Sequence, residues 1–171
     1  DSSWGSASGI SAVNQLRLWS IDNFGDDTIA NIRLGGIFYW DESAGVEARA
    51  VNATSINGAS NVPVKTIQVM MSDVDRHVIA FGSNAIGSTT INPLLVRFSD
   101  AESIVDWTPS STNSAGGVQL SLGSVIIGAL RTRQEILIWT DAGIVSMRFV
   151  GQPFIFSFNE VATGMSMISP N

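Results

Sequence analysis

Cysteine is absent from the 171-residue chain, so disulfide staples, thiolate zinc sites and cysteine nucleophiles are excluded. Charge is scarce too: 14% of residues are charged, against about a quarter in ordinary soluble domains. The chain has one lysine, Lys65, no cluster of arginines, and a net charge of −6. A surface that grips nucleic acid needs dense Lys and Arg to displace counterions from phosphates, and this chain lacks that supply. An acidic wall past which DNA slides remains compatible with the balance, since such a wall should not hold phosphates. The longest unbroken apolar run is about six residues, Val125–Leu130 counting Gly128, where a helical membrane span needs about 20. No basic stretch followed by an apolar one opens the sequence, so no signal peptide is read there. No segment carries apolar residues at a 3.6-residue spacing, which leaves strands as the regular structure.

What is present repeats. Val125–Val150, VIIGALRTRQEILIWTDAGIVSMRFV, holds three short apolar strands joined by two tight polar turns. Val69–Phe98 keeps that order: an apolar strand, a charged turn with Arg, an apolar strand ending in an aromatic (Phe81, matching Trp139), a turn, and a strand ending Arg-Phe. Leu16–Trp40 is a more diverged copy, and the three begin 53 and 56 residues apart. An antiparallel four-stranded sheet repeated about every 50 residues is how a β-propeller blade looks in sequence. The fold is therefore read as all-β, with about three propeller-type blades in units 16–62, 65–109 and 118–160. Residues 1–12 form a Gly/Ser-rich connector, and 13–171 the propeller portion. A ring takes about four to eight blades, because an open stack leaves both end faces uncovered. The chain is accordingly expected to be part of a longer polypeptide and a larger propeller.

Along the chain, Leu16–Ile21 is the first strand, with Arg17, Trp19 and Ile21 on one face, and Asn23–Asp27 the turn after it. Thr28–Asn31 returns, Gly35-Gly36 turns, and Ile37–Trp40 is apolar on both faces, as a strand buried between sheets would be. Val46–Val51 is expected to be the outer strand of that blade, and 52–63 a loop. Gly82–Pro93 is a surface loop, and Ser110–Gly117 links to the third unit. Phe154, Phe156 and Phe158 alternate along the last strand, which predicts three stacked rings on one edge.

Candidate chemistry is thin. His77, the single histidine, has Asp73 and Asp75 close by for a Ser-His-Asp arrangement, but it sits where a turn enters a strand and is read as a turn or strand-surface residue. Asp73-x-Asp75 resembles the start of a calcium loop whose remaining ligands and glycine are missing, so turn-capping is the better account. Asp22, Asp41, Asp100, Asp106 and Asp141 recur near strand ends, and two of them converging would suit a glycosidase. Their Gly and Ser neighbours favour a backbone role instead. No phosphate loop, dinucleotide fingerprint or metal-spaced His cluster occurs, so no cofactor is expected. Trp19, Trp40, Trp107 and Trp139 are assigned to inter-blade packing.

Leu16–Asp27, Gly35–Asp41, Arg97–Asp100 with Trp107–Pro109, and Arg133–Thr140 resemble tailed-bacteriophage virion proteins. The relatives are the tail nozzle proteins of short-tailed phages, also called tail tubular protein B or packaged-DNA stabilisation protein. The resemblance covers nearly the whole chain after Ser11. It implies a structural, non-enzymatic subunit of the phage tail, copies of which ring the axis below portal and adaptor proteins and near tail fibres or spikes. Such a ring extends the channel through which viral DNA passes without sequence-specific binding and helps retain packaged DNA until ejection. The contact elements are then read as Asn23, Asp26 and Asp27; Asp73, Asp75 and Arg76; Asn84 and Thr89; and Arg131 and Arg133. The competing reading is a carbohydrate-binding or glycoside-cleaving propeller.

Overall fold

Twelve strands among the described residues make three four-stranded antiparallel sheets, each running in simple meander order. The computed structural model describes residues 17–169. The connector 1–12 and the expected strand start at Leu16 lie outside them. The first sheet holds β1 (Trp19–Phe24), β2 (Asp27–Ile32), β3 (Ile37–Trp40) and β4 (Val51–Asn52). The middle sheet holds β5 (Thr66–Met71), β6 (Val78–Ser83), β7 (Leu95–Phe98) and β8 (Gly116–Gln119). The third holds β9 (Ile126–Arg131), β10 (Ile136–Thr140), β11 (Gly143–Gly151) and β12 (Ile155–Thr163).

The middle sheet explains the layering. Side chains alternate across a strand, and in Val69–Met71 of β5 and Val78–Phe81 of β6 both alternating sets are apolar. Val69, Met71, Val78 and Ala80 enter one core with Ile29, Ile37, Ala53, Val62, Ile104 and Trp107. Met70, Ile79 and Phe81 enter a second core, with Val96 and Phe98 and with Ile126, Ile136, Ile138, Val145, Met147 and Phe156 of the third sheet. The middle sheet is thus covered on both faces, which is why all six residues of β6 are buried. Packing runs from first sheet to middle and from middle to third, so the three stack as an open fan.

Four expectations are corrected. Val46–Val51 is not a strand: the edge strand is only Val51–Asn52, because Gly45 turns at positive φ and Asn52 caps the following 3-10 turn through the Thr54 amide. Gly116 and Gly117, read as linker, are the start of β8, recruited by the open edge of β7. Phe154, Phe156 and Phe158 do not stack. Ile155 at φ 58° and the register shift beside Gly151 break the alternation, so Phe154 is 77% exposed while Phe156 is buried against Phe98 and Phe149. His77 is not a surface residue but is 1% exposed, ringed by Phe98, Phe149 and Phe156.

Candidate functional site

The first strands of the three sheets, β1, β5 and β9, meet at one side of the fan, and polar side chains bolt them together. Ser20 Oγ accepts from the Val69 amide at 3.0 Å, and Asp22 Oδ2 accepts from the Met71 amide at 2.9 Å. These two side chains satisfy donors on the β5 edge that faces β1, where no ladder partner exists. Gln68 does the same toward β9: its Nε2 donates to the Ala129 carbonyl at 2.9 Å and its Oε1 accepts from the Ala129 amide at 2.7 Å. Arg131 Nη1 returns from the end of β9 to the Met71 carbonyl (2.8 Å), Asp22 Oδ2 (3.1 Å) and Asp73 Oδ1 (3.1 Å). Arg33 Nη1 reaches the Ile127 carbonyl at 3.1 Å, and burial lowers the pKa of its guanidinium. Two long arginines therefore link the first sheet to the third past the middle one. A hollow of about 250 Å³ lies beside this seam, lined by residues of β1 and β5 with Arg33.

At the two ends of the fan the outer faces of the flanking sheets carry apolar residues that no other sheet among the described residues covers. On the first sheet the face opposite the core is built from Trp19, Ile21, Thr28, Ala30, Ile32, Phe38 and Trp40, which neighbour one another across the register and include no charge. Trp19 packs on Phe38 at a ring separation of 6.4 Å, yet Trp19 is 49% and Ile21 66% exposed. On the third sheet the corresponding face carries an apolar patch, Leu130 opposite Leu137 and Trp139 opposite Ile144, which continues to Ala162, and beside it a polar end where Ser146 and Arg148 bind Glu135. Contiguous apolar faces of this kind mark interaction surfaces.

The ten residues read as contact elements divide, and one of them, Asp75, is half-buried with its Oδ2 turned away from solvent. Asp26, Asp73, Arg76, Thr89 and Arg133 are exposed in turns and loops, with Arg76 over the Phe24 ring at 5.2 Å. Asn23 is exposed but lies within β1. Asp27 takes hydrogen bonds from the Tyr39 hydroxyl and the Glu42 amide, which lower its pKa, and burial together with Asp27 pushes Tyr39 up to about 12. Arg131 is spent on the inner seam, as above. Asn84 is buried: Oδ1 accepts from the Val64 and Lys65 amides while Nδ2 donates to the Ala85 and Ser88 carbonyls, so it shapes its loop rather than meeting a partner. Of the four tryptophans, Trp107 packs between two sheets, its Nε1 donating to the Ile104 carbonyl. Trp40 is half-buried with its Nε1 donating to the Ala48 carbonyl, and Trp19 and Trp139 lie on the outer faces of the first and third sheets.

The structure does assemble a Ser-His pair that spacing alone could not place. Ser114 Oγ lies 2.9 Å from His77 Nε2. The same oxygen accepts from the Ala101 amide and donates to Asp100 Oδ1 at 2.6 Å. A hydroxyl has one hydrogen, so with Asp100 taking it the imidazole must donate and Nε2 carries the proton. That tautomer cannot accept a proton from the serine, and His77 Nδ1 has no hydrogen-bond partner to orient it. Nucleophilic catalysis is not set up here. The five strand-end aspartates are likewise committed: Asp22 to the seam, Asp41 to the Ser43 amide, Asp100 to Ser114, Asp106 to Thr108 and Asn113, and Asp141 to Ser124 and Val125.

No family model, curated protein or solved structure matches the chain. Among the described residues no group of three His, Cys, Asp or Glu could hold a metal, and no helix is long and apolar enough to cross a membrane. The Gln68 and Asp22 clamps were beyond sequence reading, because nothing local marks a Gln or Asp whose partner lies dozens of residues away. Alternation alone was enough to find the Trp19–Ile21 face.

Proposed function

We propose that the three sheets are consecutive blades of a larger β-propeller, and that this propeller is a structural part of a phage tail nozzle or hub. The observation that carries the reading is the contrast between the middle sheet, apolar and covered on both faces, and the flanking sheets, each apolar but covered on one. Burial stabilises by about 25 cal/mol per Å² of apolar surface, so the uncharged outer face of the first sheet and the Leu130–Leu137–Trp139–Ile144 patch on the third call for neighbours. The inner-seam arrangement, in which each sheet's first strand meets the next sheet's first strand, is the arrangement a propeller axis needs.

The phage assignment rests on the sequence resemblance, and the chemistry agrees with it. Sparse charge suits a subunit whose surface is used in contacts with its own copies in a ring and with adaptor, portal, fibre or spike proteins. A net charge of −6 suits a lumen that lets viral DNA pass. In this role the protein acts through surfaces in the virion and performs no catalysis.

The test is the assembly state of the full-length product, by cryo-EM or mass photometry, with purified virions as reference. A ring at the virion tail supports the nozzle reading. A stable monomer absent from virions sinks it. The half-exposed Trp19 beside Phe38 would then make glycan binding the next assay, since aromatic platforms stack sugars.

A further inference from the structure

Arg97, on β7, is 3% exposed, and its guanidinium is wrapped in backbone. Nη1 donates to the Asn84 carbonyl at 3.2 Å, and Nη2 donates to the carbonyls of Asn61 at 2.6 Å and Trp107 at 3.3 Å. The Trp107 ring lies 5.7 Å from the guanidinium carbon. No carboxylate among the described residues forms an ion pair with Arg97. Burial is the one cause moving its pKa, down to about 10, which keeps it a cation at neutral pH. Carbonyls satisfy N–H groups, but a buried full charge also calls for a counter-charge.

Arg97 also lines an open cavity of about 340 Å³ between the 54–64 segment and the 84–89 loop. Among the described residues it is the one ionisable group on that wall; Asn61, Ser88 and Thr89 add neutral polar groups, and Val62 and Ile86 apolar ones. Ser88 Oγ already accepts from the Thr90 amide, which leaves its hydroxyl hydrogen available to an acceptor. The volume falls in the range of small-molecule sites, roughly 300–1,000 Å³.

We propose that this cavity binds a small oxyanionic ligand, whose carboxylate or phosphate group is held by Arg97 and the Ser88 and Thr89 hydroxyls. Of the five guanidinium N–H groups three are given to carbonyls, which leaves one on Nη1 and that on Nε for charge-assisted bonds to a carboxylate or phosphate oxygen. The site is independent of whether further blades flank the fan.

The experiment titrates the full chain with inorganic phosphate and, separately, with acetate at constant ionic strength, following NMR shifts of the 84–89 loop and of the Arg97 side chain. Saturable shifts confined to those groups are expected. Saturation by phosphate alone assigns a phosphate ligand, and saturation by acetate alone a carboxylate. Ser88→Asp keeps Arg97 and supplies the missing counter-charge from within, so it should raise the thermal midpoint and weaken anion binding at least about tenfold, the loss of a charge-assisted contact. Two results overturn the proposal: no saturation by either anion, or undiminished binding in Ser88→Asp. Arg97 would then be a clamp on three loops and nothing more.

Discussion

Gln68 holds Ala129 with both ends of its amide, donating to the carbonyl oxygen at 2.9 Å and accepting from the amide at 2.7 Å. A side chain thereby completes the hydrogen bonding of a strand 61 residues away, doing across two sheets what a ladder does within one. Gln68→Glu removes the donor and aims a carboxylate at the carbonyl oxygen. It should cost about 2–3 kcal/mol, read from urea midpoints at constant m. Gln68→Leu, which leaves both backbone groups unpaired, should cost a comparable amount. Wild-type stability in both variants would show that the seam is slack.

Asp22 and Arg131 are the second bolt, half-buried at side-chain exposures of 18% and 33%. Asp22→Ala strands the Met71 amide and takes from Arg131 one of its two carboxylates, so a loss of about 1–3 kcal/mol is expected. In a double-mutant cycle with Arg131→Met the two losses should fail to add by about 0.5–1 kcal/mol. Strict additivity would mean that the first and third sheets are not coupled through this pair.

His77 gives a pH signature. Desolvation lowers its pKa, against the opposing charges of Asp75 and Asp100. The folded state therefore binds the proton less readily than the unfolded chain, whose histidine titrates near about 6.5. Above that pH the contribution to stability is complete. Stability falls as pH drops below it, until the folded-state imidazole itself protonates. His77 is the only histidine, so His77→Gln should flatten the dependence of the urea midpoint just below pH 6.5. A slope that survives the substitution would assign it to other groups.

Ile21 is 66% exposed in the middle of the first sheet's open face. Ile21→Lys should change the stability of the isolated chain by less than about 0.5 kcal/mol, because it removes no contact. The same change should reduce concentration-dependent association in sedimentation runs and disrupt assembly of the full-length product. Equal association of variant and wild type would show that this face is not used.

Much of the sheet layout was legible because turn chemistry is local. Asp26 and Gly25 in the first turn, Asp73–Arg76 in the second and Asp141 in the last break the strands where their backbone preferences say they should. The two-sided apolarity of Ile37–Trp40, read as burial between sheets, misled: only Ile37 is fully buried, because no further sheet among the described residues covers the other side, and the strand buried on both faces is β6. The weak edges were misread: β4 and β8 contain Asn, Gln and Gly, which have little strand preference of their own and pair because a neighbouring edge is open.

The sequence by itself determined that the chain is all-β, where most turns fall and which residues alternate, since these follow from local backbone preference and a period of two. Tertiary structure alone decided which polar groups are functional supports: His77 inside an aromatic ring cluster, Arg97 beneath a cavity, Asn84 inside its loop, and Gln68 and Asp22 across the seam. Each owes its role to a partner from another sheet or loop. Burial and pairing are properties of where segments meet, and no stretch of sequence contains both halves of such a meeting.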